Sequence, residues 1–192
     1  MLTFKTLTTM KKHPFHFVVA AHLIFILFIV SCNSSTDQVS DQGIQNEKYL
    51  VLSPEEYHAL LLTKGELMYV PIYSEIFGAN LDKKIQLSAT LSIRNISMDS
   101  EIIVSKVDFY DTHGTLIRHY IKNAVKLKPL ETISYLVEYK DSKGGDGANF
   151  IVEWVSEKEV VEPIIEAVMI GASSALGISF TCQGKVIKYL NE

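Results

Sequence analysis

The stretch that decides the fold is "KIQLSATLSIRN", Lys84–Asn95. Along it, apolar residues alternate with polar ones. The apolar set is Ile85, Leu87, Ala89, Leu91 and Ile93, and the polar set is Gln86, Ser88, Thr90, Ser92 and Arg94. A period of two places one set of side chains on each face of a strand. The stretch therefore predicts a β-strand with one buried face and one solvated face.

Similar strand-like runs recur across residues 66–192, and segments rich in Gly, Pro and Asp separate them. The runs are "LMYVPIY", "EIIVSKVDFY", "TLIRHYI", "TISYLVEY", "NFIVEWVS", "PIIEAVMIG", "GISFTC" and "KVIKYL". Many short strands with frequent turns are typical of two packed antiparallel sheets. We therefore predict an all-β fold, an immunoglobulin-like β-sandwich of about eight or nine strands.

The segment before the first strand carries helix signals. Ser53 is a capping residue, Pro54 suits the first helical position, and Glu56 completes a capping box. Gly65 then provides a stop signal. We therefore predict one short helix within residues 49–65.

Two further expectations follow from the strand pattern. Pro71 lies inside the first run, and proline cannot donate to a sheet ladder, so this run predicts an edge strand. The alternation also predicts a buried core, whose members are Leu87, Ala89, Leu91, Ile93, Val107, Phe109, Val152, Trp154 and Val168.

The N-terminus has the organisation of an export signal. Lysines precede the apolar run "FHFVVAAHLIFILFIV", Phe15–Val30, which is too short and too abruptly ended for a comfortable membrane span. The run leads into "IVSC", Ile29–Cys32, which resembles the lipobox of bacterial lipoproteins. That resemblance implies a signal peptide over residues 1–31, cleavage before Cys32, and a diacylglycerol on the Cys32 sulfur. Together with further acylation, such a modification anchors a protein stably on a membrane.

The segment after Cys32 is polar, and the chain as a whole is acidic. Residues 32–48 include "NSSTDQVSDQGIQNEK", which lacks the apolar side chains needed for packing and predicts a flexible tether. The formal net charge is −4, the lysines are scattered, and Arg94 and Arg118 are the only arginines. This distribution lacks the basic surface of a nucleic-acid binder, so we predict no nucleic-acid partner.

The stretch "DSKGGDGANFIVEW", Asp141–Trp154, combines closely spaced glycines with acidic and amide side chains. A phosphate site would need a helix after the glycines, but a strand-like run follows instead. A calcium site would need more oxygen ligands at short spacing. We expect the glycines to adopt positive φ in a connection between antiparallel strands. The alternative is a ligand-binding loop formed by Asp141, Gly144, Gly145, Asp146, Gly147 and Asn149.

Two groups of residues could form the active site of an enzyme. Asp108, Asp111 and His113, with His119 on the next strand, are weak candidates for a metal site, and a hairpin turn over Asp111–Gly114 is the favoured explanation for them. Glu153 and Glu166 could form a catalytic carboxylate pair, but such residues more often face solvent or pair with a base such as Arg94 or Arg118. Both groups of residues remain alternatives, and the sequence itself predicts no metal and no cofactor.

Cys182 is the only cysteine besides Cys32. No local motif supplies it with a catalytic partner. We therefore expect Cys182 to behave as a small apolar residue in or beside the last hairpin. With Cys32 acylated, the mature chain has no second thiol for an intrachain disulfide.

Several of these runs together resemble a bacterial family of unknown function, DUF3124, over roughly residues 66–187. The most specific pieces are the glycines leading into Asn149 and Phe150, and the strand "IIEAVMIG". Several members of such families carry export signals, which agrees with the lipidation expected at Cys32. The resemblance implies no activity and no catalytic residue.

These observations lead to one functional hypothesis. We expect an envelope lipoprotein, anchored to a membrane and facing the periplasm or the cell surface, whose domain binds an envelope protein or a glycan without catalysis. A metal-dependent envelope enzyme, or one that uses the two glutamates, is the alternative.

Overall fold

The computed structural model describes residues 49–173 and 176–190. These residues belong to one compact unit, Ser40–Glu192. The predicted signal peptide over 1–31, the acylated Cys32 and the tether over 32–48 lie outside the described residues. Within the described ranges, the structure has no helix with the length and apolar character needed to span a bilayer.

Among the described residues, twelve strands form two antiparallel sheets. In chain order they are β1 (Leu50–Val51), β2 (Lys64–Pro71), β3 (Glu75–Phe77), β4 (Lys84–Arg94), β5 (Ile102–Tyr110), β6 (Leu116–His119), β7 (Val125–Leu127), β8 (Thr132–Val137), β9 (Asn149–Ser156), β10 (Ile164–Ser173), β11 (Leu176–Gln183) and β12 (Lys185–Tyr189). The larger sheet has the order β1-β7-β5-β9-β2-β12, with β6 also paired to β5. The smaller sheet has the order β11-β10-β4-β3, with β8 also paired to β4.

The predicted all-β, immunoglobulin-like sandwich is confirmed, but the strand count is higher than expected. The additional strands are short: β1 has two residues, and β3 and β7 have three each. Their sequences are too short to show an alternating pattern, so only their pairing with β7, β4 and β5 identifies them as strands.

The core lies between the two sheets, and the inward face of β4 is the one that the sequence predicted. Leu87, Ala89, Leu91 and Ile93 are all fully buried, as are Val107, Phe109, Val152 and Trp154 from the larger sheet. Val168 is wrong as a core residue because it is only half-buried. Its neighbours Ala167 and Met169 are the buried residues of β10, and they pair with Leu91 and Ala89 of β4.

The helix is shorter than predicted. It is a single turn, α1 (Pro54–His58), and the capping box is present: the Ser53 hydroxyl accepts from Glu56 N–H, and Glu56 accepts from Ser53 N–H. Gly65 does not terminate it, because Gly65 is already part of β2. A Cβ there would come within 3.0 Å of the Trp154 carbonyl oxygen, so the position needs glycine for close strand packing.

The prediction that Pro71 marks an edge strand is also wrong. β2 lies inside the larger sheet, between β9 and β12. Pro71 is the last residue of β2 and pairs with Asn149 of β9, whereas the β12 ladder extends only to Tyr69. Proline is tolerated because no strand pairs with β2 at that position on the β12 side.

Candidate functional site

The glycine loop over Asp141–Asn149 lies where several connections of the sandwich meet. It leads from β8 in the smaller sheet to β9 in the larger sheet, so it crosses between the sheets. The loop is therefore not a hairpin turn between two paired strands, because β8 pairs with β4, and β9 pairs with β2 and β5.

The three glycines of this loop have different roles. Only Gly145 has a positive φ, 74°, so the expectation that all three adopt one is wrong for Gly144 and Gly147. Gly144 ends a short 3-10 helix, Ser142–Gly144, and is buried. A Cβ on it would lie 2.5 Å from Ser74 Oγ and 2.8 Å from the Phe109 ring. Gly144 is therefore required for close packing and not for a left-handed conformation.

Thr112, in the turn between β5 and β6, holds this loop. Thr112 N–H and Oγ1 donate to the Gly144 carbonyl oxygen at 3.0 and 2.9 Å, and Gly147 N–H donates to Thr112 Oγ1 at 2.9 Å. On the other side, the Gly145 carbonyl oxygen accepts from Ser74 N–H at 3.0 Å. The loop is thus attached both to the β5–β6 turn and to the segment before β3.

Charged side chains link the loop to its neighbours. Asp141 forms an ion pair with Arg118 of β6 at 3.1 Å. Asp146 lies 3.7 Å from Lys84, which also pairs with Glu75 of β3. The hydrogen bond and charge of Glu75 raise the pKa of Lys84. Asp141 therefore links the loop to β6, and Asp146 links it through Lys84 to the β3–β4 hairpin.

The β3–β4 hairpin exposes two large apolar side chains. Leu81 at its tip is 80% exposed, and Phe77 is 48% exposed. Lys84 Nζ lies 5.1 Å from the centroid of the Phe77 ring, which places a cation over an aromatic face. We call Phe77, Leu81, Lys84, Asp146 and the Gly145–Gly147 backbone the loop-end surface.

The sequence analysis did not identify Phe77, Leu81 or Thr112. The hairpin could have been found, because "FGANLDK" carries the Gly, Asn and Asp that favour turns before the strongly alternating β4. Thr112 had no local signal, since its role depends on contacts with residues far away along the chain.

The weak metal candidates are used in other contacts. Asp108 Oδ1 lies 2.7 Å from His119 Nδ1, across the paired strands β5 and β6. Asp111 accepts from the backbone N–H groups of His113 and Thr115, so it closes the turn over Asp111–Gly114. These bonds lower the pKa of Asp111. Within residues 49–173 and 176–190, no three His, Cys, Asp or Glu side chains are placed to hold a metal ion together.

The structure does not bring Glu153 and Glu166 together. Glu153 is on β9 of the larger sheet and accepts from Ser105 Oγ at 2.7 Å. Glu166 is on β10 of the smaller sheet and lies 3.6 Å from Arg94, the partner type that the sequence suggested. Cys182 is part of β11 and packs against the core, and burial raises the pKa of its thiol.

One buried carboxylate was not singled out by the sequence. Glu66 of β2 is 3% exposed, and its Oε2 accepts from Trp154 Nε1 at 3.0 Å. Desolvation by burial raises the pKa of Glu66. Lys64 lies beside this pair and forms ion pairs with Glu159 and Glu162 in the connection from β9 to β10.

Comparisons with known proteins identify the family and little beyond it. A search of curated proteins finds no match. A solved structure titled "Crystal Structure of Thermotoga maritima 1070" is similar to this chain at 12% sequence identity and a TM-score of 0.39, and the similarity covers 62% of this chain and 92% of that chain. A family described as "Protein of unknown function (DUF3124)" matches residues 65–187. The chain therefore belongs to the DUF3124 family.

Proposed function

We propose that this chain is a lipoprotein of the bacterial cell envelope, held on a membrane through Cys32, whose sandwich domain binds another envelope component without catalysis. The anchor rests on the order of signals in the sequence: lysines, an apolar run, and "IVSC" ending at Cys32. The polar segment over residues 33–48 would then separate the domain from the bilayer.

The observation that carries the binding role is the pair of exposed side chains Phe77 and Leu81 on the loop-end surface. Exposed aromatic and aliphatic groups with a charged rim are typical of protein recognition surfaces. Phe77 precedes, and Leu81 lies within, a turn in which Gly78 N–H donates to the Lys83 carbonyl oxygen. A hydrogen-bonded turn loses less conformational freedom on binding than a flexible segment does. We therefore favour an envelope protein over a glycan as the partner.

The anchor is tested by mass spectrometry of the N-terminus of the protein isolated from membranes. We expect Cys32 as the first residue, with diacylglyceryl and acyl modification. The matched variant Cys32→Ser should remain unprocessed at this site. Cleavage at another position, or an unmodified Cys32, would contradict the proposal.

The binding role is tested by photo-crosslinking in intact cells. A photoreactive amino acid replaces Leu81 in one variant and Ile187 in the control. Ile187 is also exposed, but it lies on β12 of the other sheet. We expect a discrete protein adduct from position 81 and none from position 187.

A second measurement separates a glycan partner from a protein partner. Cosedimentation of the chain with purified cell-wall material, reduced in Phe77→Ser and Leu81→Ser, would favour a glycan. If neither a position-specific adduct nor such cosedimentation is found, the loop-end surface is not a recognition site.

A further inference from the structure

Strand β11 forms an edge of the smaller sheet and differs from the other edges of the sandwich. It pairs with β10 in a continuous register, from Glu166 opposite Gln183 to Ser173 opposite Leu176, without a bulge. Its sequence, "LGISFTCQ", contains no charged residue and no proline. A long, regular and uncharged edge is the kind that pairs readily with a further strand.

The remaining edges are short, charged or covered. β12 carries Lys185 and Lys188 and is interrupted by a register shift between Val186 and Lys188. β1 has two residues, and β3 has three, including Glu75. β6 has four residues, including Arg118 and His119. Charges, short length and bulges are the usual means by which proteins protect sheet edges.

The edge strand β8 is protected by tyrosine side chains. Tyr49 donates its hydroxyl to the Thr132 carbonyl oxygen at 2.7 Å, and Tyr120 donates to the Leu136 carbonyl oxygen at 2.9 Å. Among residues 49–173 and 176–190, no comparable side-chain hydrogen bond reaches the backbone of β11. The edge of β11 is therefore the one that the described part of the fold leaves without protection.

The orientation of the backbone groups of β11 follows from its pairing with β10. Gly184 N–H donates to the Ile165 carbonyl oxygen, so Gly184 and Ile165 are a hydrogen-bonded pair. In an antiparallel ladder such pairs occur at every second residue. The even-numbered residues of β11 therefore direct their N–H and C=O groups toward β10. Those of Gly177, Ser179, Thr181 and Gln183 point away from the sheet.

We propose that β11 is a dimerisation edge, where it pairs antiparallel with β11 of a second copy of this chain. An antiparallel pair related by a two-fold axis through Phe180 would engage all four outward residues. Gly177 would lie opposite Gln183 of the second copy, and Ser179 opposite Thr181. Such a pairing forms about eight backbone hydrogen bonds, two at each hydrogen-bonded residue pair.

The side chains of β11 are compatible with this self-pairing. On the core side, Phe180 would face its own copy and Ile178 would face Cys182, so apolar groups meet apolar groups. On the outer side, hydroxyls would face hydroxyls at Ser179 and Thr181. These are favourable cross-strand combinations, and no like charges come together. Pairing with β12 or β6 of a second copy would instead place lysine or arginine against this uncharged strand.

Disulfide trapping in cells that express the full-length chain tests this proposal. Ile178→Cys would lie opposite the native Cys182 of the second copy in a non-hydrogen-bonded pair, with Cα atoms about 4.5 Å apart, which a disulfide can bridge. Diamide is added as the oxidant, so that two thiols are converted to one disulfide. We expect a reducible band at twice the monomer mass.

Three controls make the result specific. The double variant Ile178→Cys with Cys182→Ser should lose the dimer band, because the two cysteines at 178 would be four residues apart across the axis. Ile187→Cys, on β12, should give no dimer. Ser179→Pro in the Ile178→Cys background removes an outward N–H without removing a bond to β10, and it should abolish the band while the monomer still accumulates.

The alternatives give distinct outcomes, and each would overturn the proposal. A monomer band alone, a dimer that persists without Cys182, an adduct with a different protein, or a monomer with an internal link to Cys32 would show that β11 pairs with something other than its own copy, or with nothing.

Discussion

Thr112 and Gly144 are joined by two hydrogen bonds that share one acceptor, the carbonyl oxygen of Gly144. The two residues lie on connections that belong to different parts of the chain, the β5–β6 turn and the crossing from β8 to β9. This contact fixes the glycine loop against the larger sheet. The loop therefore connects two distant parts of the sandwich, and it also contributes to the loop-end surface.

Thr112→Val should loosen the glycine loop without unfolding the sandwich. The variant loses the hydroxyl bonds to the Gly144 carbonyl oxygen and from Gly147 N–H, and each such bond contributes about 1 kcal/mol. Amide hydrogen exchange should become faster at Gly147, with little change in β4. Thr112→Ser retains the hydroxyl and should behave as the wild type. Equal exchange in both variants would contradict this role.

Gly144→Ala should destabilise the domain by about 1–3 kcal/mol, the range typical of overpacking in a filled interior. The added methyl group would meet Ser74 Oγ, the Phe109 ring and the Ala148 Cβ, all within 2.9 Å. Gly147→Ala is the matched control, since its nearest contact, Thr112 Cγ2, is 3.2 Å away. Urea unfolding measures both. A larger loss for Gly147→Ala would show that the packing around Gly144 can adjust.

Glu66→Gln should stabilise the domain at neutral pH. Burial raises the pKa of Glu66, so the folded state holds this proton more tightly than the unfolded state does. The contribution of Glu66 to the free energy of unfolding should therefore fall as the pH rises above the ordinary value of 4.5 and through the raised folded pKa. Glutamine keeps an acceptor for Trp154 Nε1 and removes this dependence.

Two variants control the Glu66 experiment. Glu66→Ala leaves the buried Trp154 N–H without its partner and should cost about 1–3 kcal/mol. Glu162→Gln should have the opposite pH effect: Lys64 lowers the pKa of Glu162, so its contribution is present above 4.5 and is lost as the pH falls. Urea unfolding across this pH range checks the signs. An unchanged pH dependence in Glu66→Gln would show that Glu66 titrates normally.

Leu130→Gly should raise the melting temperature. Leu130 has φ 61°, a left-handed conformation that costs a non-glycine residue about 1–2 kcal/mol. It follows Pro129 in a turn closed by Glu131 N–H donating to the Lys128 carbonyl oxygen, a position that favours glycine. The Leu130 side chain is 60% exposed, so its removal loses little packing. Leu136→Gly, within β8, should lower the melting temperature instead.

The sequence predicted the elements whose signal is local and strong. The alternation in β4 defined both the strand and its buried face, and the capping box located the start of α1. Val168 was misassigned because "IIEAVMIG" is apolar on both faces, so periodicity does not say which face is inside. The register with β4 decides it, placing Val168 opposite the outward Thr90.

The site was less predictable because it depends on distant contacts. The glycines of Asp141–Asn149 were visible in the sequence, but their partners Thr112 and Ser74 come from other connections. The sequence suggested that Glu166 pairs with a basic residue such as Arg94. The separation of Glu153 from Glu166 could not be predicted, because it depends on the assignment of β9 and β10 to different sheets.

The strand order of the larger sheet sets the time at which the sheet can form. β2 is synthesised before its two partners, β9 and β12, so its ladders must wait until those strands, much further along the sequence, have been synthesised. Closing such long loops is entropically costly and slows folding. The larger sheet of the nascent chain is thus expected to remain incomplete until β9 and β12 have been synthesised. That delay is compatible with the export that we propose for this chain, in which it would cross a membrane before it folds.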